Sequence, residues 1–230
     1  MGQAITLAHF RQWLLAYAER IVKEEGYLTQ LDAAIGDADH GANMRRGMDR
    51  IVERLAGLQC DDIGALLRTV AMTLISSVGG AAGPLYGAFF LRAAQTAGAV
   101  DAVDLATLAT MFRDGLAGVQ QRGKAELDDK TLVDALHPAV VALLAAAEED
   151  VALPDALEAA RAAAEGGMHH TIDLQANRGR ASYLGPRAIG HQDPGATSFY
   201  FLVETAAATL GATVPATGRD ETVAARSAKS

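Results

Sequence analysis

The sequence is poor in cysteine, in aromatic residues and in basic charge. Its single cysteine, Cys60, excludes a disulfide within the chain and a cysteine-rich metal site, and it suits a reducing compartment such as the cytoplasm. Lys and Arg number 20 against 28 Asp and Glu, and the resulting formal net charge of −8 argues against a nucleic-acid-binding protein. No apolar run reaches the ~18 residues of a membrane span without a charge or a glycine. The N-terminus also lacks the charged and apolar regions of a signal peptide, so we expect neither feature.

The apolar residues that are present recur at the spacing of helices. Half of the residues are hydrophobic but only 5% are aromatic, which favours closely packed helices over a β-sandwich. Residues such as Phe10, Leu14, Tyr17 and Ile21 fall on one helix face. The pattern predicts an all-α protein of about eight helices, which begin near residues 7, 44, 63, 84, 103, 129, 154 and 196. We expect one domain over residues 1–212 and a flexible tail over 213–230, where the residues are small, polar and charged.

Three carboxylates stand close together between Leu31 and Asn43. Asp32, Asp37 and Asp39 are separated by five and two residues, so they would not share a face of one continuous helix. Because Gly36 and Gly41 interrupt the segment, we predict a loop that begins after a first helix ending at Gly26. Converging carboxylates repel unless a cation lies between them, and oxygen ligands favour Mg²⁺ or Ca²⁺. The alternative is an acidic turn whose aspartates cap helices.

Three loops are predicted to meet helix N-termini, where free N–H groups bind anions. They are the segments 39–41, 80–83 and 193–195. Together with the acidic loop they predict a site for a magnesium nucleotide or another polyphosphate. The chain has no P-loop motif and no protein-kinase motifs. Arg180 is either a phosphate ligand or a surface arginine, and Lys130 and Thr131 either contact the nucleotide or serve capping and solubility.

Several of these motifs resemble the dihydroxyacetone kinase L subunit family. The matching segments follow the family order over nearly the whole chain: Ile35–Gly41 (IGDADHG), Gly83–Gly87 (GPLYG), Asp129–Thr131 (DKT), Gly179–Gly185 (GRASYLG) and Asp193–Ala196 (DPGA). The resemblance implies a barrel of eight antiparallel amphipathic helices with ADP or ATP at one end. It also implies two Mg²⁺ ions held by Asp32, Asp37 and Asp39.

The resemblance further implies a set of nucleotide contacts. These are His40, Gly41, Ala42, Asn43, Gly80, Ala81, Ala82, Gly83, Gly123, Thr131, Leu132, Arg180, Gln192, Asp193 and Pro194. Two of them depart from the family pattern. Many relatives have Ser in place of Ala82 and Met in place of Leu132, so a hydroxyl contact and the shape of the purine-side wall differ here.

The family works in two ways, and the resemblance favours one of them. Fused relatives use ATP as an exchanging substrate, whereas separate subunits keep ADP and receive phosphoryl groups from a phosphohistidine subunit, the M subunit. The phosphoryl group then passes to dihydroxyacetone on a K subunit. Since the chain leaves no room for a substrate domain, we expect the second, cytoplasmic type. The alternatives are a kinase subunit for another keto-sugar or an acyl acceptor, and a non-catalytic nucleotide-loaded protein that binds a transcriptional regulator.

Overall fold

The computed structural model describes residues 3–212, and helices make up most of this part of the chain. The described residues form nine α-helices: α1 (Leu7–Lys23), α2 (Glu25–Ile35), α3 (His40–Ala56), α4 (Ile63–Ser77), α5 (Ala82–Ala97), α6 (Leu105–Gly123), α7 (Leu132–Glu148), α8 (Leu153–His170) and α9 (Pro194–Thr209). A 3₁₀ helix covers Arg180–Ala188. Two-residue strands, β1 (Ile5–Thr6) and β2 (Ala102–Val103), pair antiparallel. The all-α prediction is therefore confirmed, and the predicted tail 213–230 lies outside the described residues.

The predicted helices are recovered, but one helix was missed. Helix α1 ends at Lys23 and α2 begins at Glu25, so the prediction that Gly26 ends a helix was wrong. Gly26 lies in the first turn of α2, with no atom within 4 Å of where a Cβ would stand. The loop predicted from Leu31 was also wrong in part, because α2 continues to Ile35 and includes Asp32.

The core is organised around α9, which is buried along most of its length and packs against α1, α2, α7 and α8. Two side chains of α1 bond to its backbone: Trp13 Nε1 donates to the Leu202 carbonyl at 2.9 Å, and the Tyr17 hydroxyl donates to the Ser198 carbonyl at 3.2 Å. The core cluster runs from Ile5 to Leu210. The first and last helices are thereby fixed to each other.

A second, smaller apolar cluster lies apart from this core. It contains Ile35 at the end of α2 and three alanines of the segment that follows α8, namely Ala176, Ala181 and Ala188. Among the described helices, none combines the length and the apolar character needed to cross a bilayer.

Candidate functional site

The three acidic side chains converge at the junction of α2 and α3. Asp32 is buried in the last turn of α2, whereas Asp37 and Asp39 are exposed in the connection that follows. One carboxylate oxygen from each of the three lies within 4.8 Å of the other two. Gly36 is needed for this arrangement, because a Cβ there would stand 2.0 Å from Asp32 Oδ1. Three clustered carboxylates are a suitable ligand set for a hard cation such as Mg²⁺.

Asp32 also caps a helix. Its Oδ2 accepts hydrogen bonds from the backbone N–H groups of Asp39, at 2.8 Å, and His40, at 3.1 Å. These are among the N–H groups that a helix start leaves without an intrahelical partner. The metal-ligand and capping interpretations of the acidic segment are therefore compatible for Asp32, since capping uses Oδ2 and Oδ1 lies on the side of Gly36.

Arg180 reaches the acidic cluster from the opposite side of the site. It begins the 3₁₀ helix, and its Nη2 lies 2.9 Å from Asp37 Oδ2. The side chain of Arg180 remains 68% exposed, so it is free to change partner when an anion arrives. This pair is the direct link between the acidic connection and the glycine-rich segment near the C-terminus.

The starts of α3, α5 and α9 face the same space, as the sequence predicted. Asp39 is the N-cap residue of α3 and Ala81 that of α5, and neither makes a side-chain capping hydrogen bond, but Asp32 supplies one at the start of α3. Gly80, with a φ of 65°, makes the turn into α5, in a region of φ that favours glycine. Asp193 caps α9 by accepting from the Ala196 N–H at 2.7 Å. The uncapped start of α5 is thus the one best suited to receive a phosphate.

These elements surround a cavity of about 210 Å³. Thirteen of the predicted site residues line it: Asp32, Asp37, Asp39, His40, Asn43, Gly80, Ala81, Ala82, Thr131, Leu132, Arg180, Asp193 and Pro194. An adjoining cavity of about 320 Å³ shares Thr131 and Leu132 and is lined mainly by apolar groups, including Leu85, Val119 and the predicted Gly123. We call the first, which is bordered by the three carboxylates, the polar cavity, and its lining suits phosphates and cations. We call the second the apolar cavity, and its lining suits a planar base.

Four predicted contacts do not line either cavity. Gly41 is buried where a Cβ would stand 2.1 Å from the Glu25 carbonyl oxygen, and Gly83 packs in the same way against the Val78 carbonyl, at 2.5 Å. Gln192 donates from its amide to Thr197 Oγ1 at 2.8 Å. Ala42 is exposed on α3. The structure places these residues beside the lining groups, where they support the backbone of the site.

His40 is held by a chain of buried hydroxyls. Its Nε2 lies 2.9 Å from Ser198 Oγ, which in turn lies 2.8 Å from the Tyr86 hydroxyl. Burial lowers the pKa of His40, although the negative charges of Asp32 and Asp39 oppose that effect. Burial also raises the pKa of Tyr86, so this hydroxyl stays protonated. The ring orientation of His40 is therefore fixed by Ser198, which is itself held by Tyr86 of the cavity wall.

Sequence reasoning missed several residues of the cavity wall, among them Arg178, Leu85 and Tyr86, and left Lys130 undecided. Arg178 lines both cavities, and Leu85 does the same from α5. Arg178 precedes Gly179 and Arg180 in one segment, so its proximity to Arg180 was the available signal. Lys130, for which two roles were left open, also lines the polar cavity, but its ammonium group points into the protein.

With this geometry established, the comparisons with known proteins identify the family. The family model for the DAK2 domain matches residues 34–208, which is most of the chain. The chain belongs to the DAK2 domain family. That match covers every cavity-lining residue named above except Asp32, and it confirms the resemblance stated from the motifs.

Among curated proteins, this DAK2 domain is similar to separate kinase subunits. It is 52% identical over 192 residues to the PEP-dependent dihydroxyacetone kinase, ADP-binding subunit DhaL, of Escherichia coli (strain K12), covering 84% of this chain and 91% of that protein. It is 42% identical over 194 residues to the PTS-dependent dihydroxyacetone kinase, ADP-binding subunit DhaL, of Lactococcus lactis, covering 84% of this chain and 93% of that protein.

A solved structure shares the fold of this DAK2 domain. The dihydroxyacetone kinase of C. freundii, crystallised in complex with AMP-PNP and Mg²⁺, superposes with a TM-score of 0.67 at 27% sequence identity. The match covers 90% of this chain but 35% of that chain. The DAK2 domain therefore corresponds to about a third of that kinase.

Proposed function

We propose that this chain is the ADP-binding, phosphoryl-transferring subunit of a dihydroxyacetone kinase that draws its phosphoryl groups from a PEP-dependent phosphotransferase system. One observation carries the proposal: three carboxylates within 4.8 Å of each other border a cavity onto which three helix starts converge. Identity of 52% to an ADP-binding subunit, covering 91% of that protein, supports the choice of a separate subunit over a fused kinase.

In this proposal Asp32, Asp37 and Asp39 hold two Mg²⁺ ions, and the polar cavity receives the diphosphate of ADP. The starts of α3 and α5 border the cavity through segments 39–43 and 80–83. Backbone N–H groups of these two helix starts bind the phosphate oxygens. The base occupies the adjoining apolar cavity, beside Gly123 and Leu132. Of the eighteen predicted metal ligands and nucleotide contacts, thirteen line the polar cavity. We assign Gly41 and Gly83 a supporting role, because the absence of a Cβ at each lets the backbone pack closely behind these wall residues.

The residues of this chain then act by alignment and charge. Phosphoryl transfer requires in-line positioning and stabilisation of the equatorial oxygens, with little covalent work by the protein. When bound, Mg²⁺ would neutralise charge on those oxygens. Arg180 exchanges its contact with Asp37 for one with a phosphate, and His40, held by Ser198, keeps a fixed orientation beside the cavity. No residue of the chain needs to be phosphorylated.

Two partner subunits and a location belong to the same proposal. A phosphohistidine donor, the M subunit, rephosphorylates the retained ADP, and a K subunit presents dihydroxyacetone to the resulting nucleotide. The names of the relatives support this, since they describe PEP-dependent or PTS-dependent dihydroxyacetone kinases with an ADP-binding subunit. We place the reaction in the cytoplasm, in keeping with a free cysteine at position 60.

The first test asks what the purified chain carries. We expect denaturation to release about one ADP per chain, together with divalent ions measured by mass spectrometry, and we expect a chelator to release the nucleotide from the native protein. Purified chain that holds no nucleotide and binds none at high added ADP and Mg²⁺ would contradict the proposal.

The second test is reconstitution. The chain is mixed with a K subunit, a phosphohistidine donor and dihydroxyacetone, and dihydroxyacetone phosphate is measured. We expect product with the phosphohistidine donor and little with free ATP alone. Product with free ATP but none with the phosphohistidine donor would instead identify an exchanging, ATP-dependent kinase. A stable phosphoamino acid on this chain during turnover would contradict the alignment mechanism.

A further inference from the structure

Lys130 is a buried lysine with an unusual set of partners. Its side chain is among the largest fully buried ones, at 1% exposure, whereas lysine is almost never fully buried without a partner. Its Nζ donates to four backbone carbonyl oxygens: Thr171 at 2.6 Å, Leu174 at 3.0 Å, Ala188 at 2.8 Å and His191 at 2.6 Å. An ammonium group has three N–H donors, so these four oxygens saturate it.

All four acceptors belong to one segment of the chain, residues 171–191. Two stand at the start of the segment, directly after α8, and two stand at its end, directly before Gln192 and Asp193. The ammonium group of Lys130 therefore joins the two ends of a loop. Residues 175–187 lie between those ends, and they include Arg178, Gly179 and Arg180 on the cavity wall.

Few other contacts hold this loop. Its buried side chains are Thr171 and three alanines, and the alanines belong with Ile35 to the small cluster, against which Leu184 packs, and not to the main core. Direct backbone bonds are sparse: Gly190 N–H donates to the Ile172 carbonyl at 2.7 Å, and Asn177 N–H donates to the Asp129 carbonyl at 3.1 Å. Side-chain contacts add a bond from the Asp193 N–H to Thr171 Oγ1 at 3.0 Å and two ion pairs of exposed arginines, Arg178 with Asp129 and Arg180 with Asp37. Since alanine burial contributes little hydrophobic stabilisation, the ammonium contacts are the main candidate for what fixes the loop.

The turn that contains Lys130, directly before α7, holds this side chain in place. Lys130 has a φ of 59° and Asp128 a φ of 69°, a region that is unfavourable for residues with a Cβ. Asp134 stabilises the turn, because its two carboxylate oxygens accept from the Asp128 and Thr131 N–H groups, each at 2.6 Å. Thr131 then caps α7. The turn thus presents Lys130 from a rigid helix start.

We infer that Lys130 is a positioning residue whose ammonium group holds the loop 171–191 in the conformation that places Arg180 and Asp193 at the nucleotide site. The inference rests on the proposed function for its effect on ADP, but the loop conformation itself does not depend on ADP. It follows that another cation of similar size, bound at the same four carbonyl oxygens, would also hold the loop in this conformation.

The test uses two variants and one control. Lys130→Ala removes the side chain and leaves a space lined by the four carbonyl oxygens. Lys130→Met keeps most of the length and the apolar stem of the side chain but removes its charge and its hydrogen-bond donors. If Lys130→Ala does not fold, the Lys130→Met variant tests the inference by itself. Lys23→Ala, at an exposed lysine of α1, is the matched control. Titration calorimetry measures the affinity for ADP in the presence of Mg²⁺.

We expect ADP affinity to fall at least about tenfold in both Lys130 variants, because buried carbonyl oxygens lose their donors, and to be unchanged in Lys23→Ala. Ammonium or short primary alkylammonium salts should restore most of the affinity of Lys130→Ala but not that of Lys130→Met. Tetramethylammonium, at the same ionic strength, should restore neither. Wild-type affinity in Lys130→Met, or no recovery of a folded Lys130→Ala with any ammonium salt, would overturn the inference.

Hydrogen exchange provides a measurement that does not require ADP. In the Lys130 variants we expect amides of residues 174–191 to exchange at least about tenfold faster, with α4 unchanged. Equal acceleration in both regions would mean that Lys130 only stabilises the whole fold, and would overturn the inference. If the wild-type chain bound no ADP, the proposed function would be contradicted. The comparison of hydrogen exchange between residues 174–191 and α4 would still show whether Lys130 holds the loop.

Discussion

Arg180 Nη2 lies 2.9 Å from Asp37 Oδ2, so a candidate phosphate ligand is bound to a candidate metal ligand. The two proposed roles compete in this geometry, because a cation at Asp37 would take the place of the guanidinium group. Arg180 then becomes available to an anion. Cation and nucleotide are therefore expected to bind cooperatively, each favouring the rearrangement that the other needs.

Arg180→Gln tests this competition. We expect the affinity for Mg²⁺ alone to rise about two- to fivefold, the scale of an exposed ion pair, since Asp37 no longer has a competing partner. The affinity for ADP in the presence of Mg²⁺ should fall at least about tenfold, because a charged ligand of the phosphate is lost. Calorimetric titrations with Mg²⁺ and with ADP measure both. If both affinities moved in the same direction, the competition would be refuted.

Asp37→Asn removes one carboxylate from the acidic cluster and keeps its size. We expect nucleotide retention to fall at least about a hundredfold, because loss of a direct metal ligand should cost more than loss of a supporting group, with the helical circular dichroism unchanged. Nucleotide released by denaturing extraction is the measurement. Asp49→Asn, at an exposed carboxylate of α3 that pairs with Arg45, is the control. ADP retained by Asp37→Asn at the wild-type level would remove Asp37 from the ligand set.

Gly36→Ala tests the close approach of the backbone to Asp32. A Cβ at position 36 would stand 2.0 Å from Asp32 Oδ1 and displace the carboxylate. We expect a loss of stability of about 1–3 kcal/mol, typical of overpacking, and weaker Mg²⁺-dependent binding of ADP. Gly26→Ala, in the first turn of α2 and in open space, should be neutral or more stable by up to about 1 kcal/mol. Urea unfolding and ADP titration compare the two variants, and equal behaviour would contradict the steric argument.

Asp193→Asn tests a buried carboxylate at the start of α9. Burial, followed by the charge of Asp134, raises the pKa of Asp193 to about 7. The folded protein therefore keeps a proton that the unfolded chain releases near pH 4, so the free energy of unfolding falls as the pH rises from about 4 to about 7. Asparagine keeps the capping oxygen but cannot ionise.

We expect the Asp193→Asn variant to show a flatter pH dependence of unfolding over this interval, by at most about 4 kcal/mol. Urea unfolding of both proteins between pH 4.5 and 7.5, without nucleotide, measures the difference. Parallel profiles for the two proteins would show that Asp193 does not titrate in the predicted interval.

The sequence was sufficient to predict the helices and the three helix starts at the site. Apolar periodicity predicts α3, α4 and α9 because each buries one face or most of its length in the core. The missed helix, α2, shows where such reasoning fails. Gly26 has no neighbour within 4 Å and lies in the first turn, so nothing in the fold requires it to end a helix.

The sequence predicts which kinds of ligand the site would bind, but not the contacts that its residues make. Clustered carboxylates and glycine-rich segments indicate a cation and a phosphate wherever they converge. Spacing alone could not show that Asp32 both caps α3 and contributes a carboxylate oxygen to the acidic cluster. Nor could it reveal the role of Lys130, because its four acceptors are backbone carbonyls 41 to 61 residues further along the chain.

The packing of α9 against α1 has a consequence for synthesis on the ribosome. Trp13 and Tyr17 bond to carbonyls of Leu202 and Ser198, some 180 residues later in the chain. Since these partners are synthesised long after α1, that helix must wait for α9 before its indole and phenol groups find acceptors. A nascent chain stalled before residue 194 would expose the apolar face of α1, and would be a substrate for chaperones and proteases until α9 arrives.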